Sequence, residues 1–319
     1  MDITNGTQVT RFIFSGLTND DNLIPFLFIL FFPLYIMTIM ANVGLLTIVQ
    51  TTSSLQNPMY FFLSYLSLVD VFYSSSVIPK MLVDLISKKK AISFVGCAFQ
   101  FFVYCLLVAS ESLLFSTMSY DRYVAVCHPL HYMTIMTKKK CLCLVSVVLS
   151  IGFIQSSVQT GCTFTLKFCG SNLINHFYCD VFPVLKLSCS DNFTCGIITI
   201  CIVCILGIGP LIVILLSYLL IIFSVSQIKS SSGRSKAFST CSSHLMCVFI
   251  FYGSIFFTYL RSHSRIFTVK DKVASVFYTA VTPMLNPLIY SLRNQDVKHT
   301  VITLVRKLLK KRKWCSTST

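Results

Sequence analysis

Between Leu23 and Val49 the chain carries no charged residue, and that run decides which solvent the protein folds in. About 20 helical residues, rising about 1.5 Å each, cross the ~30 Å hydrocarbon layer of a bilayer, so this stretch spans it with some tilt. Asp70 is the one charge between Asp21 and Lys80. Over the whole chain 55% of residues are hydrophobic and 12% charged, whereas a soluble domain is about 25% charged. The 319 residues could bury a sizeable core, but they lack the polar surface to cover one in water. The segment before the run holds Asp2, Asp20, Asp21 and a single Arg11. It has no basic leader, and the run outlasts a signal-peptide core, so a cleaved signal is not expected.

The formal charge of +15 invites a nucleic-acid reading, but its placement argues against one. Lys and Arg sit between apolar blocks and in the tail, most densely at Arg306-Lys307 and Lys310–Lys313. A polybasic run just after a membrane helix meets anionic lipid headgroups. Membrane lipids are therefore expected partners and nucleic acid is not.

Seven apolar blocks follow one another at about 23–49, 58–79, 97–127, 141–165, 197–226, 237–260 and 272–292. They are too long and too uniformly apolar for barrel strands, and open strands are excluded in lipid. The expected fold is all-α: a seven-helix transmembrane bundle (23–292) between an extracellular N-terminus (1–22) and a cytoplasmic tail (293–319). A short amphipathic helix is expected near Asn294–Lys310. No internal repeat or linker divides the chain. An odd number of spans places the ends on opposite sides, and Lys and Arg are slightly richer on the tail side. Two acceptor triplets for N-glycosylation, at Asn5 and Asn192, fall on the opposite, outer side.

Of the 15 cysteines, Cys105, Cys127, Cys141, Cys143, Cys201, Cys204 and Cys247 lie in or at the ends of apolar blocks, where a thiol is a small buried hydrophobe. Cys97, at the outer start of block three, and Cys169, Cys179 and Cys189, in the loop after block four, stand apart in an oxidising place. Four cysteines allow three pairings, and spacing does not choose among them.

Polar groups inside membrane helices are costly and therefore candidates for function. Asp70 and Glu111 lie mid-way along blocks two and three. They can share a proton, hold Na⁺, or form a static network with Asn42, Ser67 and Asn286. Asp121-Arg122-Tyr123 closes block three, where the arginine can pair with its neighbour in one state and release it in another; a snorkelling arginine is the bland alternative. In block seven Pro287 removes a backbone hydrogen bond, and Asn286 can answer the freed carbonyl or a neighbouring helix. In the outer halves, helical spacing puts Tyr104, Cys105, Val108, Ala109 and Ser112 on one face of block three. Ile202, Val203 and Leu206 share a face of block five, Tyr252, Ile255, Phe256 and Tyr259 one of block six, and Val276, Thr279 and Ala280 one of block seven. Converging, these faces enclose an apolar cavity with a few hydroxyls, suited to a small hydrophobic molecule. Ordinary helix packing is the competing reading.

Several strings carry a resemblance through nearly the whole chain. They are Pro58-Met59-Tyr60-Phe61-Phe62-Leu63, Pro79-Lys80-Met81-Leu82, Met118 to Cys127 (MSYDRYVAVC), Ser217-Tyr218, Lys236 to Leu245 (KAFSTCSSHL) and Pro283 to Asn294 (PMLNPLIYSLRN). In this set and order the chain resembles the rhodopsin-like G-protein-coupled receptors and, more narrowly, the vertebrate olfactory receptors. Ala41 before Asn42 and Gln56-Asn57 before Pro58 are mild departures that bear on helix packing.

The resemblance implies an odorant receptor in the plasma membrane that activates a heterotrimeric, stimulatory G protein of olfactory type and raises cAMP. It implies bridges Cys97–Cys179 and Cys169–Cys189 and glycan on Asn5. It also implies a switch of Asp121, Arg122, Tyr123 and Tyr218, with Asn286, Pro287 and Tyr290 rearranging alongside. The string His176-Phe177-Tyr178-Cys179-Asp180 offers copper or zinc ligand types, but the implied bridge consumes the Cys179 thiolate, so no metal and no cofactor beyond Na⁺ is expected. Catalysis is not expected, because no nucleophile–base arrangement has convincing context. A receptor for a non-odorant ligand is one alternative. An ion transporter or channel is the other, though the repeats and broken helix pairs typical of transporters are missing.

Overall fold

The computed structural model describes residues 9–18, 20–169, 171–227, 230–259 and 269–293, with isolated positions at 297, 300 and 302. Seven long helical segments occupy them. These are α1 (Leu23–Thr51), α2 (Pro58–Ile86), α3 (Phe94–Cys127), α4 (Lys138–Phe164), α5 (Phe193–Ser226), α6 (Ser231–Tyr259) and α7, which comprises Val269–Val276, Phe277–Val281 and Thr282–Arg293. The tail helix expected near 294–310 lies outside the described residues, as does Asn5.

Local chemistry sets the helix starts. Asn57 accepts from the Tyr60 amide, Ser93 from the Gly96 amide and Thr137 from the Lys140 amide, each answering one of the orphan N–H groups of a first turn. Block two was expected to end at Pro79, yet α2 runs through it to Ile86. A bilayer helix tolerates an internal proline when neighbours satisfy the freed backbone. Beyond the proline, Lys80 and Asp84 form an i,i+4 ion pair on the same helix.

Burial separates the helices. In its most apolar stretch α3 is 61% buried, whereas α1 is 11% and α5 17% buried. α3 is the axle of the bundle, and α1 and α5 are its rim. Outward side chains such as Phe26, Ile29, Met40, Phe223 and Phe249 are more than half exposed, a surface that suits acyl chains and not water. Between α3 and α4 the helices approach closely at Gly152, where an added Cβ would stand 2.8 Å from Ser110 Oγ and 3.1 Å from the Leu106 carbonyl. Small residues permit such contacts between helices in lipid.

No strands were expected, but three short ones cap one end of the bundle. β1 (Arg11–Phe14) lies between β2 (Ala91–Ser93), antiparallel, and β3 (Leu173–Ile174), parallel. They sit beyond the helix ends, where the exclusion of open edges from hydrocarbon does not apply. The sheet brings the amino end, the α2–α3 connector and the α4–α5 connector to one side, here termed the sheet end. Phe12 and Phe14 are buried beneath it, Phe12 against the rings of Phe94 and Phe168. Gly16 then turns the chain at φ +72°, a conformation that glycine adopts without penalty. There Lys272 Nζ donates to Ser15 Oγ (2.8 Å) and to the Gly16 carbonyl (2.7 Å), and Lys90 Nζ to the Thr18 carbonyl (3.2 Å).

Candidate ligand site and transduction core

The roof of the bundle is the segment between α4 and α5. Cys179 is bridged to Cys97 at the start of α3, with Cα atoms 5.7 Å apart, and Cys169 to Cys189 within the segment, at 5.8 Å. Between these ties a chain of hydroxyls runs into a carboxylate. Tyr104 of α3 donates to Tyr278 of α7 (3.3 Å), Tyr278 bonds Tyr178 of the roof, and Tyr178 donates to Asp180 Oδ2 (3.0 Å). The Val181 amide donates to the other carboxylate oxygen (2.7 Å). Burial lifts the Asp180 pKa to about 6, against the pull of those two donors. His176, also buried, bonds Ser275 Oγ of α7 (3.1 Å); burial, aided by the nearby Lys272 charge, lowers its pKa to about 3. The string considered for metal ligation is therefore consumed by a bridge, a hydroxyl chain and a helix contact. Among the described residues no three His, Cys, Asp or Glu side chains gather as a metal site.

Below the roof, Ser112 is one of the buried hydroxyls on α3. Its hydroxyl lies 2.8 Å from Tyr252 Oη and donates to the Leu206 carbonyl at 2.9 Å. That carbonyl is available for a chain-level reason. Pro210, four residues on, has no N–H to give it, and α5 relaxes into a π-turn over Cys204–Ile208. Of the side chains expected to line the cavity, Tyr104, Cys105, Ala109, Ser112, Tyr252, Thr279 and Ala280 are buried, and Val108, Ile202, Leu206, Ile255 and Val276 half-buried. Two depart. Val203 is 44% exposed and Phe256 37%. On α5 the inward stripe runs through Cys195, Thr199, Ile202 and Leu206, and Val203 is turned off it by about 100°. Tyr259 contributes its backbone to the end of α6, and its side chain lies outside those described. Tyr178, Tyr278, His176 and Ser275 were absent from the sequence-derived site. A run of aromatics beside a loop cysteine was the available signal, but which rings meet depends on how the loop folds back.

Deeper still, Asn286 Nδ2 donates to both Asp70 oxygens (3.3 and 3.1 Å) and to Glu111 Oε1 (3.2 Å). All three residues are buried, and among the described residues Glu111 Oε2 has no hydrogen-bond partner. The carbonyl freed by Pro287, that of Pro283, is answered by Asn42 Nδ2 at 2.9 Å. Of the two partners open to Asn286, the freed carbonyl and a neighbouring helix, it takes the second, and an asparagine from α1 takes the carbonyl. Tyr290 is buried one turn below.

At the opposite end, Asp121 accepts from Tyr132 Oη (2.8 Å), in the connector after α3. It makes no ion pair with Arg122 among the described residues, and the buried Nη2 of Arg122 has no hydrogen-bond partner there. Of the paired and released arrangements that the sequence allows these neighbours, this structure has the released one, with Tyr132 on the carboxylate. Tyr123 lies against His128. Tyr218 of α5 bonds His244 Nδ1 (2.8 Å), and His244 Nε2 lies 3.0 Å from the Phe115 carbonyl of α3. A carbonyl only accepts, so Nε2 carries the proton and Nδ1 accepts from the tyrosine. One imidazole thereby ties three helices together.

A third bridge was not foreseen: Cys162 at the end of α4 is joined to Cys195 at the start of α5, with Cα atoms 5.8 Å apart. Both lie at the margins of apolar blocks, where a thiol reads as packing. Asn192, at the start of α5, is exposed, and its Nδ2 donates to the Leu185 carbonyl (3.1 Å).

A multi-pass α-helical membrane bundle, roofed at one end and tied by single polar contacts at the other, defines the class: a seven-helix receptor, not an enzyme. Squid rhodopsin has the same fold, with a TM-score of 0.73 over 91% of this chain and 83% of that one at 18% identity. The family described as olfactory receptor matches residues 31–311. Olfactory receptor 5AP2 of Mus musculus is 50% identical over 93% of this chain and 94% of its own length, and olfactory receptor 5B12 of Homo sapiens 49% identical over 92% and 94%. The chain belongs to the olfactory receptor family.

Proposed function

We propose that the protein binds a small, mostly apolar volatile molecule between the outer halves of α3, α5, α6 and α7. Binding then opens the end holding Arg122 to a stimulatory olfactory-type G protein, raising cAMP. The observation that supports the ligand class is the Ser112–Tyr252 hydroxyl pair, set beneath the roof among mostly apolar side chains, with Tyr104 and Thr279 as further hydroxyls. Burial supplies affinity in proportion to apolar area, and one hydrogen bond to that pair orients the ligand. The proposed orientation is sheet end outward, in the plasma membrane. Three disulfides at that end suit an oxidising compartment, and Asn5 and Asn192 fall on the same side as acceptors for glycan. Asp121, Arg122 and Tyr218 belong to the switch that opens the opposite face to the G protein, with Tyr123, Asn286, Pro287 and Tyr290 rearranging alongside, and anionic lipid is the expected partner of the basic tail.

The Asp70–Asn286–Glu111 cluster presents two carboxylates to a single amide. A shared proton or a bound Na⁺ would balance it, and the undonated Glu111 Oε2 is where such a cation fits. A cAMP reporter screen against a panel of volatile compounds tests the reading. At least one compound should give a dose-dependent response in cells that display the receptor. Silence across the panel at normal surface level, or a tail epitope accessible on intact cells, overturns it.

A further inference from the structure

Two ties join α4 to α5 at the sheet end. The first is the Cys162–Cys195 bridge. The second lies about one turn deeper, where Gln159 Nε2 donates to Thr199 Oγ1 at 2.9 Å, and Thr199 in turn donates to the Cys195 carbonyl at 2.8 Å. Gln159, Cys195 and Thr199 are all buried. Because 159 and 162 lie one turn apart on α4, and 195 and 199 one turn apart on α5, both ties fall on a single seam. In lipid, helices gain little by hiding apolar surface from one another, and their register rests on close packing and interhelical hydrogen bonds, so directional ties count for most on a rim helix such as α5. A covalent tie and a buried hydrogen bond together fix its distance and its register.

About two turns further along α5 stands the π-turn, with the Leu206 carbonyl that Pro210 leaves undonated and Ser112 satisfies. We propose that Cys162, Cys195, Gln159 and Thr199 are positioning residues of the ligand site: they hold α5 in the one register that puts the Leu206 carbonyl on Ser112, and so set the Ser112–Tyr252 pair. The inference rests on the ligand reading above and adds a consequence for selectivity. A wall that cannot yield discriminates a single methylene by about tenfold or more, whereas a wall free to slide accommodates it. The clamp therefore sharpens discrimination by chain length.

The test uses the full-length receptor, with a homologous series of straight-chain aldehydes as the probe. Peptide mapping after thiol alkylation should recover 162 linked to 195 from surface-delivered receptor; free thiols at both positions overturn the proposal. In the double variant Cys162→Ser/Cys195→Ser, amide exchange across 196–208 should rise by about tenfold or more, while exchange in β1–β3 stays as in wild type. Potency should fall by about tenfold and the chain-length profile flatten, with maximal response and surface level retained. Unchanged exchange in α5, or an unchanged potency profile, overturns it. If the double variant does not reach the surface, Thr199→Val, which keeps the bridge, carries the same two measurements with the same deciding outcomes. A wild type silent to every aldehyde sinks the ligand reading instead, and the mapping and exchange results still decide the clamp.

Discussion

The two ends of the bundle are held by different means. At the sheet end three disulfides, a three-stranded sheet and a chain of buried tyrosines join the amino end, two connectors and the tips of α3, α4, α5 and α7. At the other end no disulfide lies among the described residues, and the ties are single hydrogen bonds: Tyr132 to Asp121, Tyr218 to His244, His244 to the Phe115 carbonyl. A covalent staple confines the unfolded chain and cannot be exchanged on a signalling timescale. A hydrogen bond contributes about 1 kcal/mol net, within reach of a ligand's differential affinity for two states. The sheet end is tied covalently, and the other end by contacts that a ligand can trade.

The largest expected effect breaks the rigid end. Cys97→Ser removes the bridge that anchors the roof to α3, a loss on the order of 2–5 kcal/mol, and surface display should fall by about tenfold or more. Cys127→Ser, on the soft end, should leave display at wild-type level; flow cytometry of an amino-terminal tag compares the two, and equal display dissolves the contrast. Next is Arg122→Ala, which should abolish ligand-evoked cAMP with display largely intact. A normal response from that variant removes the arginine from the switch. Smaller again is Tyr218→Phe, which deletes one hydrogen bond to His244 and should change basal cAMP by roughly threefold to tenfold. No change would mean that the α5–α6 tie does not bias the equilibrium between states.

The smallest effect concerns pH at the roof. His176, lowered to about 3, contributes stability that is full above about pH 6.5 and is lost as acid protonates the unfolded chain. Asp180, raised to about 6, works in the other direction: below that pH the folded state holds a proton that the unfolded state does not. Between pH 7 and 5 the two terms, each about 1–2 kcal/mol, oppose one another. Wild-type receptor in detergent should therefore melt at nearly constant temperature across that window. His176→Gln should gain stability on acidification and Asp180→Asn should lose it. Parallel melting curves for all three would show that these groups do not titrate in this window.

The bundle was legible because lipid writes a coarse rule: long uncharged runs become helices. The buried carboxylates were legible for the same reason, since a charge within such a run has to face inward. What stayed hidden depends on which side chain reaches which backbone. Pro79 reads as a stop, but Ile86 ends the helix. Asp121 reads as a partner that Arg122 can hold or release, but that Tyr132 takes it up depends on a connector whose path the sequence does not specify. Asn42 was placed in a network with Asp70, yet it answers the carbonyl opened by Pro287 in a helix far along the chain. The same device recurs at Leu206, opened by Pro210 and answered by Ser112. A proline marks where a carbonyl is freed, and only the fold tells who receives it. Cys162 and Cys195 were hidden because a thiol at a helix margin looks like any small apolar residue until its partner is beside it.

The middle strand of the sheet comes from residues 11–14, and one of its neighbours from residues 173–174. During synthesis the first strand can pair early with Ala91–Ser93, but its other edge has to wait until more than half the chain has been threaded through the membrane. Such long-range closure is slow and leaves an open edge exposed meanwhile. The sheet is complete only when the leading segment and both connectors lie on the same side of the bilayer.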